Sequence, residues 1–169
     1  DELSNALNNF HSTLDSELLS KCQNIVISVP TPLTDYQPDL SFVINAAKTV
    51  GENLVKNQVI ILESTTYPGT TIEVLIPNLE KTSKLKAGED FFVGYSPERI
   101  DPGNKVWKFK NTPKVVSGIN DISTEKIRSF YESIIENIVL VKGTKEAEMV
   151  KLLENTYRHV NIALINELA

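Results

Sequence analysis

Lys151 and Asn155 form a pair of side chains whose types and spacing suit chemistry. They stand four residues apart, close to one helical turn, so an ammonium donor and a carboxamide can converge on one ligand atom. An ordinary exposed helix face can have the same composition, and both interpretations stay open on spacing alone. The pair marks a candidate site on a helix.

A second candidate site follows the run FFVGYSP, where Glu98 comes directly after a predicted strand. A carboxylate there can act as a general base or orient a water molecule, with the Thr65 hydroxyl as its hydrogen-bond partner. A solvated loop glutamate beside a helix-capping threonine explains the two residues equally well. The stretch 96–112 is long for a loop inside a compact domain, which favours a functional role.

The helix that carries Lys151 and Asn155 is predicted over residues 147–169 and is amphipathic. Its apolar stripe consists of Met149, Leu153, Thr156, Tyr157, Val160 and Leu164. Its polar face consists of Glu148, Lys151, Asn155 and Arg158. Beyond Asn161 the lysine face becomes apolar as well, through Ile162 and Ile165. A helix that is apolar all round is buried all round, so we expect the chain to be part of something larger.

Five apolar runs rich in β-branched residues must position these side chains. They predict strands at 24–30, 58–64, 90–96, 113–118 and 137–143, buried on both faces as parallel strands are. Helical spacing predicts helices over 39–56, from 70 onward with a bend or early end at Pro77, and over 123–136. Strand and helix alternate, so we expect an α/β three-layer sandwich with right-handed crossovers. Ligands of such sheets bind at the carboxyl ends of the strands, which selects 29–32, 63–66 and 96–99.

The composition is that of one globular domain and excludes several classes of protein. The chain has 169 residues, of which 41% are hydrophobic and 23% charged, and a net charge of −5. Because its basic residues are scattered, the charge argues against binding to nucleic acid or to an anionic membrane. The absence of a signal peptide or a long apolar run favours a cytoplasmic protein.

Three residue types limit the available chemistry. The single cysteine, Cys22, excludes an internal disulfide and is expected to be a small buried side chain rather than a nucleophile. His11 and His159 lack metal-ligand spacing, so no metal site is expected. The seven glycines form no G-x-G-x-x-G, so this chain alone cannot make the usual pyrophosphate site.

Five motifs together resemble the nucleotide-sugar 6-dehydrogenases of the UDP-glucose/GDP-mannose dehydrogenase family. They are VPTPL (29–33), ILESTTYPGTT (61–71), GYSPERIDPGN (94–104), NTPKVVSG (111–118) and the predicted helix at 147–169. The residues of these motifs look closest to the branch that acts on UDP-N-acetylglucosamine or UDP-N-acetylmannosamine. Arg99 and Ile100 follow SPE here, where the UDP-glucose branch typically has an apolar pair. UDP-glucose stays open as the alternative substrate.

The resemblance implies a reaction and a set of roles. The family oxidises the C6 alcohol of a UDP-sugar to a carboxylate in two NAD-dependent steps, through a thiohemiacetal and a thioester on a cysteine. By resemblance, Lys151 and Asn155 stabilise the developing oxyanion, and Glu98 activates the hydrolytic water, which Thr65 positions. The cofactor contacts implied on the nicotinamide side are Thr31, Glu63, Ser64 and Thr65. The substrate contacts implied are Glu98, Arg99, Ile100, Asp101, Lys151 and Asn155.

Two departures from the family indicate an internal fragment. The opening β-α-β unit with its glycine fingerprint is missing, and so is the segment with the nucleophilic cysteine, which Cys22 does not match. We expect an α/β fold made of the second half of a Rossmann-like, doubly wound, mainly parallel sheet, ending in a long interdomain helix. Residues 1–143 would be the C-terminal part of the NAD-binding domain, and 144–169 the start of a connecting helix that forms a homodimer. The fragment alone is predicted to be inactive.

Two further interpretations remain. The β-hydroxyacid dehydrogenases also place Lys and Asn four residues apart on a comparable helix, and Gly143 echoes their spacing, but they lack SPERIDPGN. In a different class, the chain would be a non-catalytic α/β module whose polar helix face contacts a partner protein.

Overall fold

A five-stranded sheet lies at the centre of the computed structural model, which describes residues 8–100 and 103–169. Its strands are β1 (Asn24–Ile27), β4 (Val59–Leu62), β5 (Phe92–Tyr95), β6 (Lys114–Gly118) and β7 (Ile138–Leu140), in the spatial order β1-β4-β5-β6-β7. A separate hairpin pairs β2 (Leu33–Thr34) with β3 (Gln37–Pro38). The five predicted strands are confirmed, each shorter than its apolar run. Their predicted burial on both faces is wrong for β1 and β7, where Val26, Val139 and Leu140 are exposed because these are the outer strands of the sheet.

In the part of the chain that the structure describes, four α-helices flank the sheet: α1 (Ser41–Asn53), α2 (Ile76–Ser83), α3 (Asp121–Glu132) and α4 (Thr144–Leu168). A 3₁₀ helix at Ser16–Lys21 precedes β1. Pro77 does not end its helix. The irregularity falls on the turn before it, Thr71–Leu75, which is wider than an α-helical turn and has the Ile76 N–H bonded to the Thr71 carbonyl. The predicted helices are therefore confirmed.

The helices cover both faces of the sheet, so the predicted three-layer sandwich is confirmed. On one face, α1 and α2 pack on the sheet, and Gly51 brings them together because a Cβ there would lie 2.9 Å from Thr82 Cβ. The core of this face includes Ile25, Ile27, Val43, Ala47, Ile60, Leu62, Leu79 and Val93. On the other face, α3 covers a smaller core of Val59, Ile61, Phe92, Val116, Ile127, Tyr131 and Ile135.

The sheet is mainly parallel, but β6 departs from the predicted alternation. The β1–β4 and β4–β5 pairs are parallel, whereas β6 runs antiparallel to β5, with Tyr95 opposite Ser117. Strand β7 is parallel to β6. The reason is that antiparallel neighbours need no crossover helix, so the loop 96–113 can join them directly. The expectation of strict strand-helix alternation is wrong at this junction.

The β5–β6 reversal carries the start of β6 to the edge of the sheet where β4 and β5 end. The Ser96 hydroxyl donates to the Val115 carbonyl at 2.7 Å and fastens the two strands there. Further along the same pair, Gly94 allows the strands and α3 to come close, since a Cβ at this position would lie 2.0 Å from the Ser117 carbonyl oxygen and 2.3 Å from Ile127 Cδ1.

Helix α4 packs on the domain with its polar face. Ala147 and Glu148 are buried and Lys151 and Asn155 are half-buried. The apolar side chains of the opposite stripe, Met149, Leu153, Tyr157, Val160 and Leu164, are each more than half exposed. Ile162 and Ile165 are more than half exposed as well. A surface helix normally packs the other way round, with its apolar face inward.

Candidate active site

Glu98, at the end of β5, is bonded through its side chain and its backbone carbonyl. Its Oε1 accepts the backbone N–H groups of Arg99 and Ile100, both at 2.6 Å. Its Oε2 lies 3.5 Å from Lys114 Nζ, and its backbone carbonyl accepts the Lys151 ammonium. The side chain remains 43% exposed, so solvent reaches it. The predicted hydrogen bond from the Thr65 hydroxyl is replaced by these contacts.

Lys114 is the buried cation of the site, and the reversal of β6 places it there. As the first residue of β6 it lies at the edge where β4 and β5 end. Its side chain is only 6% exposed, its Nζ lies 2.7 Å from Glu63 Oε1, and the ring centroid of Tyr131 is 5.0 Å away. Two carboxylates and an aromatic face offset the cost of removing this ammonium from water.

Tyr131, from α3, completes the support beneath Glu63. Its hydroxyl donates to Glu63 Oε1 at 2.5 Å, so this oxygen accepts from both Tyr131 and Lys114. Burial, followed by the negative charge of Glu63, raises the pKa of Tyr131 above its ordinary value. The hydroxyl therefore stays protonated and remains a donor.

Lys151 and Asn155 lie on the inward face of α4. The Lys151 ammonium donates to the Glu98 carbonyl, which joins the helix to the end of β5. Burial lowers the pKa of Lys151, although the carboxylates of Glu98 and Glu154 act in the opposite direction. Asn155 follows one turn later and is half-buried. Lys151 thus meets Glu98 directly, and Asn155 lies one turn further along the same face of the helix.

The predicted substrate loop is tied to α4 by Arg99. Its guanidinium donates to both carboxylate oxygens of Glu154, in a forked pair, and to the Pro113 carbonyl at 2.8 Å. Ile100 is exposed at the same edge. Asp101 lies outside the described residues.

The predicted cofactor segment joins the ends of β1 and β4. Thr31 Oγ1 donates to the Thr65 carbonyl at 2.7 Å, and the Ser64 hydroxyl both donates to the Val29 carbonyl and accepts its N–H, each at 2.8 Å. The Tyr95 hydroxyl donates to the Ser64 carbonyl at 3.1 Å, and burial raises the pKa of Tyr95 to about 12. Thr65 itself is exposed, whereas the Glu63 carboxylate turns toward Lys114.

Glu148 anchors α4 beside this segment. It is fully buried, and its carboxylate accepts the Gly69 N–H at 2.6 Å, the Thr71 N–H at 2.8 Å and the Thr71 hydroxyl at 2.6 Å. Glu148 belongs to α4, yet it caps the first turn of the helical segment that follows the loop of Thr65. This contact fixes the helix of Lys151 to the loop of Thr65.

Other regions are less suited to chemistry. A groove of about 700 Å³ lies beside α3, but it borders Asn24 and Val59 at the amino ends of β1 and β4, away from Glu98. Cys22 is exposed where the 3₁₀ helix ends, before β1 starts, so its predicted burial is wrong. In residues 8–100 and 103–169, no group of three or more His, Cys, Asp or Glu side chains could hold a metal ion. Within the same ranges, no helix has the length and apolar character needed to cross a membrane.

Sequence analysis missed three charged or polar residues: Lys114, Tyr131 and Glu148. Lys114 lies in PKVVSG at the start of a predicted strand, whereas functional side chains were expected at the carboxyl ends of strands. A lysine beside an apolar strand is the sequence feature that indicates its role. Glu148 and Tyr131 follow ordinary helical patterns, which contain no such indication.

Comparison with known proteins gives consistent matches. Residues 3–139 match the family model for the NAD binding domain of the UDP-glucose/GDP-mannose dehydrogenase family, and residues 145–169 match the model for its central domain. The UDP-N-acetyl-D-glucosamine 6-dehydrogenase of Pseudomonas aeruginosa is 45% identical over 93% of this chain, and Protein CapL of Staphylococcus aureus is 45% identical over 95%. The chain spans 38% of the length of each relative. The solved UDP-D-ManNAc dehydrogenase from Pyrococcus horikoshii superposes with a TM-score of 0.88 at 37% identity, over 96% of this chain and 38% of that one.

Proposed function

The chain belongs to the UDP-glucose/GDP-mannose dehydrogenase family, and we propose that it is part of an NAD-dependent UDP-N-acetylhexosamine 6-dehydrogenase. The observation that carries the proposal is the convergence of Lys151, from α4, on Glu98, at the end of β5. These residues come from the two parts of the chain that match the NAD binding and central domains. Their contact brings a cation and a candidate base to one site.

The proposed reaction converts the C6 alcohol of the sugar to a carboxylate. Two oxidations each remove a hydride and a proton, and between them the thiol of a cysteine outside this chain adds to the C6 aldehyde. Lys151 and Asn155 donate to the C6 oxygen as negative charge develops on it. The second oxidation leaves a thioester.

Glu98 serves the last step. It takes a proton from a water molecule, the water oxygen attacks the thioester carbon, and the C–S bond breaks with the sulfur leaving as a thiolate. Thr65 positions the water. The exposed part of the Glu98 side chain and the exposed Thr65 give water access to this edge of the sheet.

NAD accepts the hydrides when it is bound, and the residues present fit one end of it. The exposed Thr65 hydroxyl and the Thr31 oxygen, at the ends of β4 and β1, suit a neutral carboxamide. The buried Ser64 hydroxyl is bonded to Val29 and holds this segment in place. The chain has no glycine-rich loop for the pyrophosphate. Glu63 acts through Lys114 in this arrangement rather than by direct contact with the cofactor.

The loop after β5 is proposed to lie along the UDP-sugar. Ile100 and Asp101 would contact the sugar, and the forked Arg99–Glu154 pair would hold the loop against α4. An assay of the full-length protein against UDP-N-acetylglucosamine, UDP-N-acetylmannosamine, UDP-N-acetylgalactosamine and UDP-glucose tests the assignment. A clear preference for UDP-glucose would refute the N-acetylhexosamine assignment.

Two substitutions test the proposed roles in the full-length protein. Lys151→Ala removes the oxyanion donor and Glu98→Gln removes the base, so each is expected to lower kcat at least roughly a hundredfold. Lys145→Ala, at an exposed position of α4, is the matched control and is expected to keep near-normal kcat. Near-normal kcat in both site variants, with the fold intact by circular dichroism, would overturn the roles.

The pH dependence gives a separate test of Lys151. The ammonium must be protonated to stabilise an oxyanion, and burial has lowered its pKa. Turnover is therefore expected to fall as the pH rises through this lowered value, below the ordinary 10.5 of a lysine. A pH profile of kcat that stays flat to the ordinary value would contradict the role.

The chain alone lacks the glycine loop and a matching cysteine, so it is proposed to be inactive by itself. Formation of NADH by residues 1–169 with any UDP-sugar would contradict that. The exposed apolar stripe of α4 is proposed to be covered by a second copy of the protein, forming a homodimer, with residues 144–169 as the connecting helix. Leu153→Arg should then shift the full-length protein from dimer to monomer in light scattering, whereas an unchanged mass would exclude this interface.

A further inference from the structure

We propose that Lys114 is a positioning residue for Glu98, orienting its carboxylate at the end of β5, with Glu63 and Tyr131 as its fixed support. The inference rests on the proposed role of Glu98 as the base. It adds a buried cation that the sequence motifs did not assign, and it gives a function to three polar side chains that the reaction does not otherwise use.

Lys114 requires a reason for its burial. An ammonium removed from water is costly unless carboxylates and hydrogen bonds compensate, and a simple apolar side chain would fill the start of β6 at lower cost. Its Nζ instead lies between two carboxylates, 2.7 Å from Glu63 and 3.5 Å from Glu98. One cation is therefore shared by two anions at the end of neighbouring strands.

The two carboxylates are held differently. Glu63 Oε1 accepts from both Lys114 and the protonated Tyr131 hydroxyl, so Glu63 is fixed and its charge is well compensated. Glu98 uses Oε1 for two backbone N–H groups and keeps Oε2 toward Lys114 at the longer distance. Glu63 thus fixes the position of the ammonium, and the ammonium in turn orients the more exposed Glu98.

The charged groups near Glu98 come from several elements. Lys114, from β6, reaches the Glu98 carboxylate, and Lys151, from α4, reaches its backbone carbonyl. The Arg99 guanidinium pairs with Glu154 on α4 instead, and Glu63 at the end of β4 pairs with Lys114. Removing Lys114 therefore leaves Glu98 Oε2 without the cation that orients it and Glu63 without its ammonium partner.

The test uses Lys114→Met in the full-length protein, which keeps an unbranched side chain, one atom shorter, and removes the charge. Thioester hydrolysis is measured by quenching the reaction and determining the mass of the cysteine-containing peptide. Hydrolysis is expected to fall roughly tenfold and the acyl-enzyme to accumulate, because the base is no longer held in its working orientation.

Two controls separate this effect from general damage. Lys48→Met makes the same change at an exposed lysine of α1, outside the proposed site, and is expected to leave hydrolysis unchanged. Lys114→Arg restores a cation and is expected to return the rate to within a few-fold. The burst of NADH that precedes hydrolysis should survive in Lys114→Met, since both hydride transfers come first. Unchanged hydrolysis or a lost burst in Lys114→Met, or no recovery in Lys114→Arg, would overturn the inference.

Glu98→Gln distinguishes this inference from the proposed function. If no variant ever carries an acyl group, the thioester mechanism fails. If Glu98→Gln traps the acyl-enzyme while Lys114→Met behaves like Lys48→Met, only the positioning role fails. Should Lys114→Met not fold, Tyr131→Phe decides, because it removes one donor from Glu63 and should lower hydrolysis in the same direction by a few-fold. Unchanged hydrolysis in Tyr131→Phe would then reject the role.

Discussion

Glu148 and Lys114 are both charged and buried, yet the structure compensates them in opposite ways. Glu148 receives three donors, from Gly69 and Thr71, and none of them carries a charge. Lys114 is placed among charged partners, Glu63 and Glu98, one of which is substantially exposed. A carboxylate surrounded by neutral donors is an anchor, whereas an ammonium shared between carboxylates can orient a neighbouring side chain that is otherwise exposed. We expect the first to control stability and the second to control rate.

The largest effect on stability is expected for Glu148→Gln. The new amide keeps one oxygen, so its N–H₂ group would face either the Gly69 N–H or the Thr71 donors and leave that side buried without an acceptor. The free energy of unfolding should fall by about 3 kcal/mol. Urea denaturation measures it, with Glu146→Gln, at an exposed position of the same helix, expected to change it by no more than about 0.5 kcal/mol. Equal losses of unfolding free energy in Glu148→Gln and Glu146→Gln would contradict the anchoring role of Glu148.

A smaller effect on stability is expected for Lys114→Met. The substitution removes the ion pairs, but it also removes the cost of burying the ammonium, and solvent reaches the Glu98 carboxylate that is left behind. The net loss should be about 1 kcal/mol in the same urea experiment. A loss as large as that of Glu148→Gln would make Lys114 an anchor as well and would break the comparison.

The smallest effect concerns alkaline pH and the Tyr131 hydroxyl. Its pKa in the folded protein is above the 10.0 that is ordinary for tyrosine, so its contribution to stability is complete below pH 10. Above that pH the unfolded state loses the proton first, and the free energy of unfolding falls. Tyr131→Phe should make this decline shallower by at most about 1.4 kcal/mol per pH unit, whereas Glu148→Gln should leave it unchanged. An identical decline of the free energy of unfolding above pH 10 in all variants would contradict this role of the Tyr131 hydroxyl.

Sequence alone predicted the elements because periodicity and turn residues report on local structure. The apolar runs around Ile60, Val93 and Val115 located β4, β5 and β6, and the motif ESTTYPG located the loop of Thr65. The direction of β6 was beyond such reasoning, because a strand has the same pattern in either direction. A parallel β6 would begin at the edge of the sheet opposite to Glu98. The predicted topology therefore did not place Lys114 beside Glu98.

The packing of α4 shows a second limit. Its amphipathic pattern was correctly predicted, and Lys151 does meet Glu98. The pattern gave no indication that Glu148 would be the most buried residue of the polar face, because its partners at Gly69 and Thr71 lie more than seventy residues away. Contacts between distant backbone donors and a side chain leave no local trace in a sequence.

The antiparallel β5–β6 junction also bears on how such a protein can diversify. Both ends of the loop 96–113 are fixed by ladder hydrogen bonds, and the Ser96–Val115 bond closes its base. Insertions or replacements within the loop therefore change its exposed surface without displacing Lys114 beneath it. A chain built this way can vary one loop while the charged cluster of Glu63, Glu98 and Lys114 at the strand ends stays in place.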